Sequence, residues 1–143
     1  MRRRSAFGVL VIPFALDAFA EVAYALWRKR DDEDDWWHAP AAQGARTETP
    51  LAAARRLTGV PRDAAYRALD SRAIVEIDDC PATCILPQYA FGVRVDPVDL
   101  RAPAGHEQLW VNYEVAQGLL RSEAERDALW ELRRRLGLPR VCR

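Results

Sequence analysis

The stretch GARTETPLAAARRLTGVP, residues 44–61, concentrates residue types that could do chemistry at a helix start. Thr49 is a good N-cap and Pro50 suits the first helical position. Gly59, with Pro61 beyond it, stops the helix after barely two turns, so the predicted helix covers 50–57. Arg55 and Arg56 fall inside it, and residues 49–62 hold no acidic side chain. Arginine presents a planar fork of donors that matches phosphate and lysine a point charge, which makes Arg28, Lys29, Arg55 and Arg56 plausible phosphate partners. For any one of them, surface solvation is the plainer role. Five tryptophans could stack on a base, a contact worth roughly 1–3 kcal/mol per base, although tryptophan more often packs. Trp130, in a helical pattern, reads as core.

Other polar clusters point to simpler roles. The run Asp31–Asp35 could attract a cation but reads as a solvated hairpin tip. Cys80, Cys84 and Cys142 do not make a disulfide framework and suit a reducing cytoplasm. A zinc site built on Cys80 and Cys84 would need two more ligands, and the only histidines, His38 and His106, are far apart.

A chain of 143 residues, half of them hydrophobic, is long enough to bury a core as one domain spanning 1–143. Basic and acidic residues balance at 21 each, which argues against a DNA or RNA binder that relies on phosphate charge. The opening MRRRSAFGVLVIPFALDAFAE has the basic start, apolar run and Ala18-Phe19-Ala20 of a signal peptide. Asp17 interrupts that run, and Val9, Val11 and Ile12 are β-branched, so residues 6–14 read as a buried strand of a cytoplasmic protein. No segment is long enough to span a bilayer.

Further strands are expected at 21–30, 73–77, 84–95 and 108–112, with WWHAP as a short strand or loop and PRDAAYRALD as a short helix. Ser122 and Glu125 form a capping box for a terminal helix whose Leu129, Leu132 and Leu136 share one face. Strands on either side of a short helix and a helical end make an α/β or α+β layered domain.

In this order the pieces resemble the Nudix hydrolases, particularly the MutT-like branch that cleaves nucleoside triphosphates. The resemblance rests on SAFGVLVIPF, YALWRKR, the segment from Trp37 to Arg56, LPQYAFGVRV, LWVNYEVAQGLL and ALWELRRRL. It implies a Nudix-type α/β/α sandwich around a mixed β-sheet. The family's box reads G-x5-E-x7-R-E-U-x-E-E-x-G-U, with U a bulky aliphatic residue. Its glutamates share one helix face and hold Mg²⁺ against a pyrophosphate for attack by water. Here Glu48, Arg56 and the pair Gly59-Val60 match the box. The opening glycine falls on Ala42, with Gly44 close by. Between Arg56 and Gly59 stand only Leu57 and Thr58, so about one helical turn is missing, and three glutamates with it.

The resemblance also marks Glu107, just before Leu109-Trp110, where many family members carry a catalytic or metal-binding glutamate. It places Trp36 and Trp37 beside the loop that faces a nucleotide. The implied function is a degenerate Nudix protein, nucleotide-directed by resemblance, with lost or strongly reduced Mg²⁺-dependent pyrophosphohydrolase activity. Its ligand would be a nucleotide or derivative, bound near Arg28, Trp37, Arg55 and Arg56, and a homodimer is possible. One alternative is an active hydrolase of a nucleoside diphosphate-linked substrate with a rewired metal site of Glu48 and Glu107. The other is a non-catalytic protein-interaction module. In the plainest reading Glu48 caps the helix or pairs with Arg55 or Arg56, and Glu107 faces solvent from a strand.

Overall fold

The computed structural model describes residues 5–17, 19, 21–30, 36–79 and 82–137, with the backbone alone for 75–79 and 82–84. Its strands are β1 (Ser5–Leu16), β2 (Val22–Lys29), β3 (Ala41–Ala45), β4 (Tyr66–Asp79), β5 (Ala82–Arg94) and β6 (His106–Val111). Its helices are α1 (Pro50–Thr58), α2 (Tyr113–Leu119) and α3 (Glu123–Gly137). The acidic run 31–35, Cys80 and Cys142 lie outside the described residues, as does the side chain of Cys84.

β1 is the axis of the fold. It pairs in parallel with β5 and antiparallel with β2, in the sheet order β4-β5-β1-β2-β6, and its first half also pairs with β3. Buried on both faces, it reads as an unbroken apolar run rather than an alternation. Its even residues Leu10, Ile12 and Phe14 enter one core with Tyr24, Leu26, Ala116, Leu129 and Leu132, beneath α2 and α3. Its odd residues Phe7, Val9 and Val11 enter the other with Ala25, Trp27, Ala53 and Ala54, beneath α1. The result is an α/β/α sandwich around a mixed sheet.

Local chemistry explains most element ends. Thr49 Oγ1 accepts from the Ala52 amide at 3.0 Å, and Gly59 closes α1 at φ 78°, a left-handed conformation that glycine adopts at little cost. At the Ser122–Glu125 capping box, Ser122 Oγ accepts from the Glu125 amide at 3.1 Å and donates to the Glu125 carboxylate at 2.9 Å. Gly44 is required by a close approach: a Cβ there would lie 2.1 Å from the Phe7 ring.

Two expectations are corrected. PRDAAYRALD is not a helix beyond the 3₁₀ turn Asp63–Ala65, because Tyr66 opens β4 and packs edge-on to Phe91. Its hydroxyl donates to the Val60 carbonyl at 2.8 Å, and Leu69 is buried against α3. Trp130 is not core but 52% exposed, lying under the Arg134 guanidinium. The buried face of α3 runs through Glu125, Ala128, Leu129 and Leu132, and residue 130 points about 100° away from 129.

Candidate functional site

The residues singled out in sequence form two separate groups. At the start of α1, Glu48 accepts from the Ala45 amide at 3.1 Å. Arg56, two turns along the helix, donates from Nε to Glu48 Oε2 at 2.9 Å and from Nη2 to Oε1 at 3.0 Å. The same Nη2 reaches the Gln43 carbonyl at 2.8 Å. The bond to Glu48 holds the Arg56 pKa above its already high ordinary value. Arg55 turns away to Asp63, at 2.7 Å. Thus Glu48 fastens the helix to the end of β3, as its plainest reading has it, with Arg56 as partner.

The second group sits where β2 meets β6. Arg28 faces Glu107 directly across the antiparallel pair and donates through Nε and Nη2 to Oε2 at 2.9 and 2.7 Å. Its guanidinium lies 4.4 Å from the centre of the Trp37 ring, so cation, carboxylate and aromatic are brought together. Trp36, 40% exposed, carries Arg121 at 5.6 Å on the neighbouring surface.

Strand alternation keeps the two glutamates apart. Tyr24 and Leu26 of β2 enter the core under α2 and α3, whereas Ala25 and Trp27 enter the core under α1. Arg28 follows Leu26 onto the α2–α3 face, and Glu107, its cross-strand partner, shares that face. Glu48 belongs with α1 on the other. Gln108, one residue on from Glu107, confirms the alternation by accepting from Trp27 Nε1 at 2.9 Å.

Two residues beside the second group carry more than the sequence disclosed. Glu125 caps α3, as expected, but its carboxylate is also buried and accepts from the Ala39 amide at 2.6 Å and lies 3.2 Å from His38 Nδ1. It therefore ties the Trp37–His38 segment to α3, and the backbone bridges Trp27–His38 and Trp37–Leu120 fix that segment from both sides. The capping-box spacing was legible; the reach to a segment 86 residues away was not.

Among the described residues α1 does not supply the carboxylates of a magnesium cradle. Carboxylates on successive turns of one helix are needed to share a pair of ions with a pyrophosphate, and α1 carries none. Glu48 and Glu107 are each held by an arginine. Among the described residues no three His, Cys, Asp or Glu side chains converge on a common point.

The chain has the Nudix fold, shared with many solved structures of Nudix hydrolases. A protein of Listeria monocytogenes described as a Nudix hydrolase is 28% identical, over 91% of this chain and 93% of that one, with a TM-score of 0.75. The Escherichia coli dihydroneopterin triphosphate pyrophosphohydrolase is 18% identical, over 90% and 94% of the two chains, with a TM-score of 0.65. The Nudix domain of Shewanella oneidensis NrtR, in complex with ADP ribose, is 13% identical, over 94% and 90%, with a TM-score of 0.62. No family model and no curated protein matches the sequence. No described helix is long and apolar enough to cross a membrane.

Proposed function

We propose that this chain is a degenerate Nudix protein that binds a nucleotide or nucleotide derivative and has lost, or nearly lost, Mg²⁺-dependent pyrophosphohydrolase activity. One observation carries the reading. The glutamate before the shortened helix spends both carboxylate oxygens on Arg56 and a backbone amide, and the helix behind it offers no other acid. Binding is assigned to the β2–β6 corner, where Trp37 and Trp36 offer ring faces for a base and Arg28 offers a donor fork for a diphosphate.

The ADP ribose held by the Shewanella domain makes ADP-ribose the first ligand to test. Calorimetric titration, with and without Mg²⁺, should show saturable binding that is lost in Trp37→Ala and that does not depend on the metal. Absence of binding across ADP-ribose, nucleoside triphosphates and dinucleotides would leave the protein-interaction reading in its place. The rewired hydrolase is the second reading, since Glu107 stands at the ligand-facing corner. It requires Glu107 to leave Arg28 and act across the sheet from Glu48.

A further inference from the structure

The opposite end of the sheet carries a second feature. β1 starts at Ser5 beside Ala45, near Glu48, and ends at Leu16 in an open cleft of about 1200 Å³. The ends of β4 and β5 and the C-terminal ends of α1 and α3 complete its walls. Arg28, Trp37, Glu48, Arg55, Arg56 and Glu107 all lie outside it. Its apolar strip is Leu16, 42% exposed, with the partly buried Val22 beside it and the buried Phe14 beneath.

Arg62, Arg67 and Arg94 line the same cleft. Among the described residues, none of these three guanidinium groups has a hydrogen bond or ion pair. Elsewhere Arg55, Arg56 and Arg135 hold carboxylates and Arg126 holds two carbonyls, while Arg30, Arg46 and Arg101, unengaged among the described residues, are scattered surface arginines rather than a group around one cleft. Arg67 stands opposite Gly92, and Arg94 follows two residues along β5 on the same face. Diagonal cross-strand neighbours are within reach of long side chains, so both guanidinium groups can meet one anionic group. Asp96 and Asp99 also line the cleft, but the Asp96 carboxylate accepts from the Val98 amide at 3.1 Å, and neither aspartate pairs with the three arginines.

We infer that this cleft docks a segment of a partner protein that carries carboxylates beside apolar side chains. Charge complementarity names the carboxylates, and the strip through Leu16 names the apolar anchors. A small-molecule pocket encloses its few polar groups. Here the arginines are exposed around an apolar strip, as in the rim and core of a protein interface.

The test is selection of displayed random peptides on the full chain, followed by amide chemical-shift mapping with the selected synthetic peptides. The expected winners combine Asp or Glu with large apolar residues and shift resonances of β1, β4 and β5 around the cleft. Their affinity should fall roughly tenfold or more in Arg67→Ala/Arg94→Ala, and fall with added salt. ADP-ribose binding should not change in that variant, which separates this inference from the nucleotide reading. Arg62→Ala, on the α1 side of the cleft, gives a second probe if the double variant melts early. Peptides indifferent to all three arginines overturn the proposal. So does a cleft that responds to inorganic tripolyphosphate or to phosphatidylserine vesicles but not to acidic peptides, since the ligand is then a phosphate group or a lipid surface.

Discussion

Arg28 and Glu107 face each other in register across β2 and β6, and the pair is closed at 2.7 Å beneath the ring of Trp37. The pair both holds and masks the corner assigned to the nucleotide. A bound diphosphate would compete with Glu107 for the Arg28 fork and would be repelled by its charge. Glu107→Gln should therefore tighten metal-free ADP-ribose binding by about 1 kcal/mol, roughly fivefold, the size of a partly exposed ion pair. Weaker binding or lost turnover in Glu107→Gln would instead identify Glu107 as a ligand-side or metal-side group and favour the rewired hydrolase.

Arg56 tests whether a metal site lies latent beneath its ion pair. Arg56→Ala takes the arginine away from the Glu48 carboxylate, and the partly exposed pair it breaks is worth about 1 kcal/mol of stability. A single carboxylate is a poor magnesium site, so the variant should still bind Mg²⁺ more weakly than about 1 mM. Isothermal titration decides the point, and tight Mg²⁺ binding would restore the metal reading.

Glu131 on α3 holds an irregular part of the sheet. The register between β4 and β5 shifts between Ala68 and Arg72, and there the Glu131 carboxylate accepts from the amides of Asp70 and Ser71, both at 2.7 Å, and from Ser71 Oγ at 2.6 Å. Burial works against its charge. The Ser71 hydroxyl, the two amides and Arg135 outweigh burial and bring its pKa below the ordinary glutamate value. A lowered folded-state pKa adds stability above the unfolded value near 4.3, and that stability is lost as pH falls through the folded value. Glu131→Gln should cost roughly 1–3 kcal/mol at pH 7. The gap from the parent chain should narrow in denaturant melts below about pH 4. A gap unchanged from pH 7 to pH 3 would show that Glu131 acts by packing rather than by charge.

Leu132 tests the seating of α3 on the sheet. It is fully buried and lies over Gly92, where a Cβ would come within 2.6 Å of one of its methyl groups. Leu132→Ala should lower unfolding free energy by about 2–5 kcal/mol. Gly92→Ala should destabilise as well, because the added methyl pushes the leucine out of its seat. A loss of only a few tenths in Leu132→Ala would mean that α3 lies loosely on the sheet.

What could be read in advance was local. The buried strand at Ser5–Leu16, the cap at Thr49, the stop at Gly59 and the capping box at Ser122 each depend on neighbours within a few residues. Trp130 misled because hydrophobicity alone does not tell which side of a helix faces inward, and Tyr66 because its role depends on Phe91 and Val60. At the site, the lack of acids in α1 was plain from residue types. The Arg28–Glu107 pair was not, because the β2–β6 register that makes them neighbours spans 79 residues. The same limit hid Glu125 beneath Ala39, and it hid the gathering of Arg62, Arg67 and Arg94 around one cleft.

Catalysis gives the sharpest test. With Mg²⁺ at pH 8 the chain should release neither pyrophosphate nor phosphate from common nucleoside triphosphates at a normal enzymatic rate. A general acid or base is typically worth about 10²–10⁴-fold, and metal stabilisation of developing charge adds several kcal/mol. Both depend on carboxylates that converge on the pyrophosphate, whereas Glu48 and Glu107 stand on opposite faces of the sheet in separate ion pairs. The expected rate is therefore lower by about 10⁴-fold or more. The assay should cover nucleoside triphosphates, dinucleotides and nucleotide sugars with Mg²⁺ and with Mn²⁺, beside a Glu48→Gln/Glu107→Gln variant. Turnover above about 0.1 per second, well under the roughly 1–10³ per second of typical enzymes, that disappears in the double variant would replace the degenerate reading with the rewired hydrolase. Turnover equal in both proteins would trace to a contaminant or to other carboxylates, and repeating the assay on protein purified by a second route separates those two.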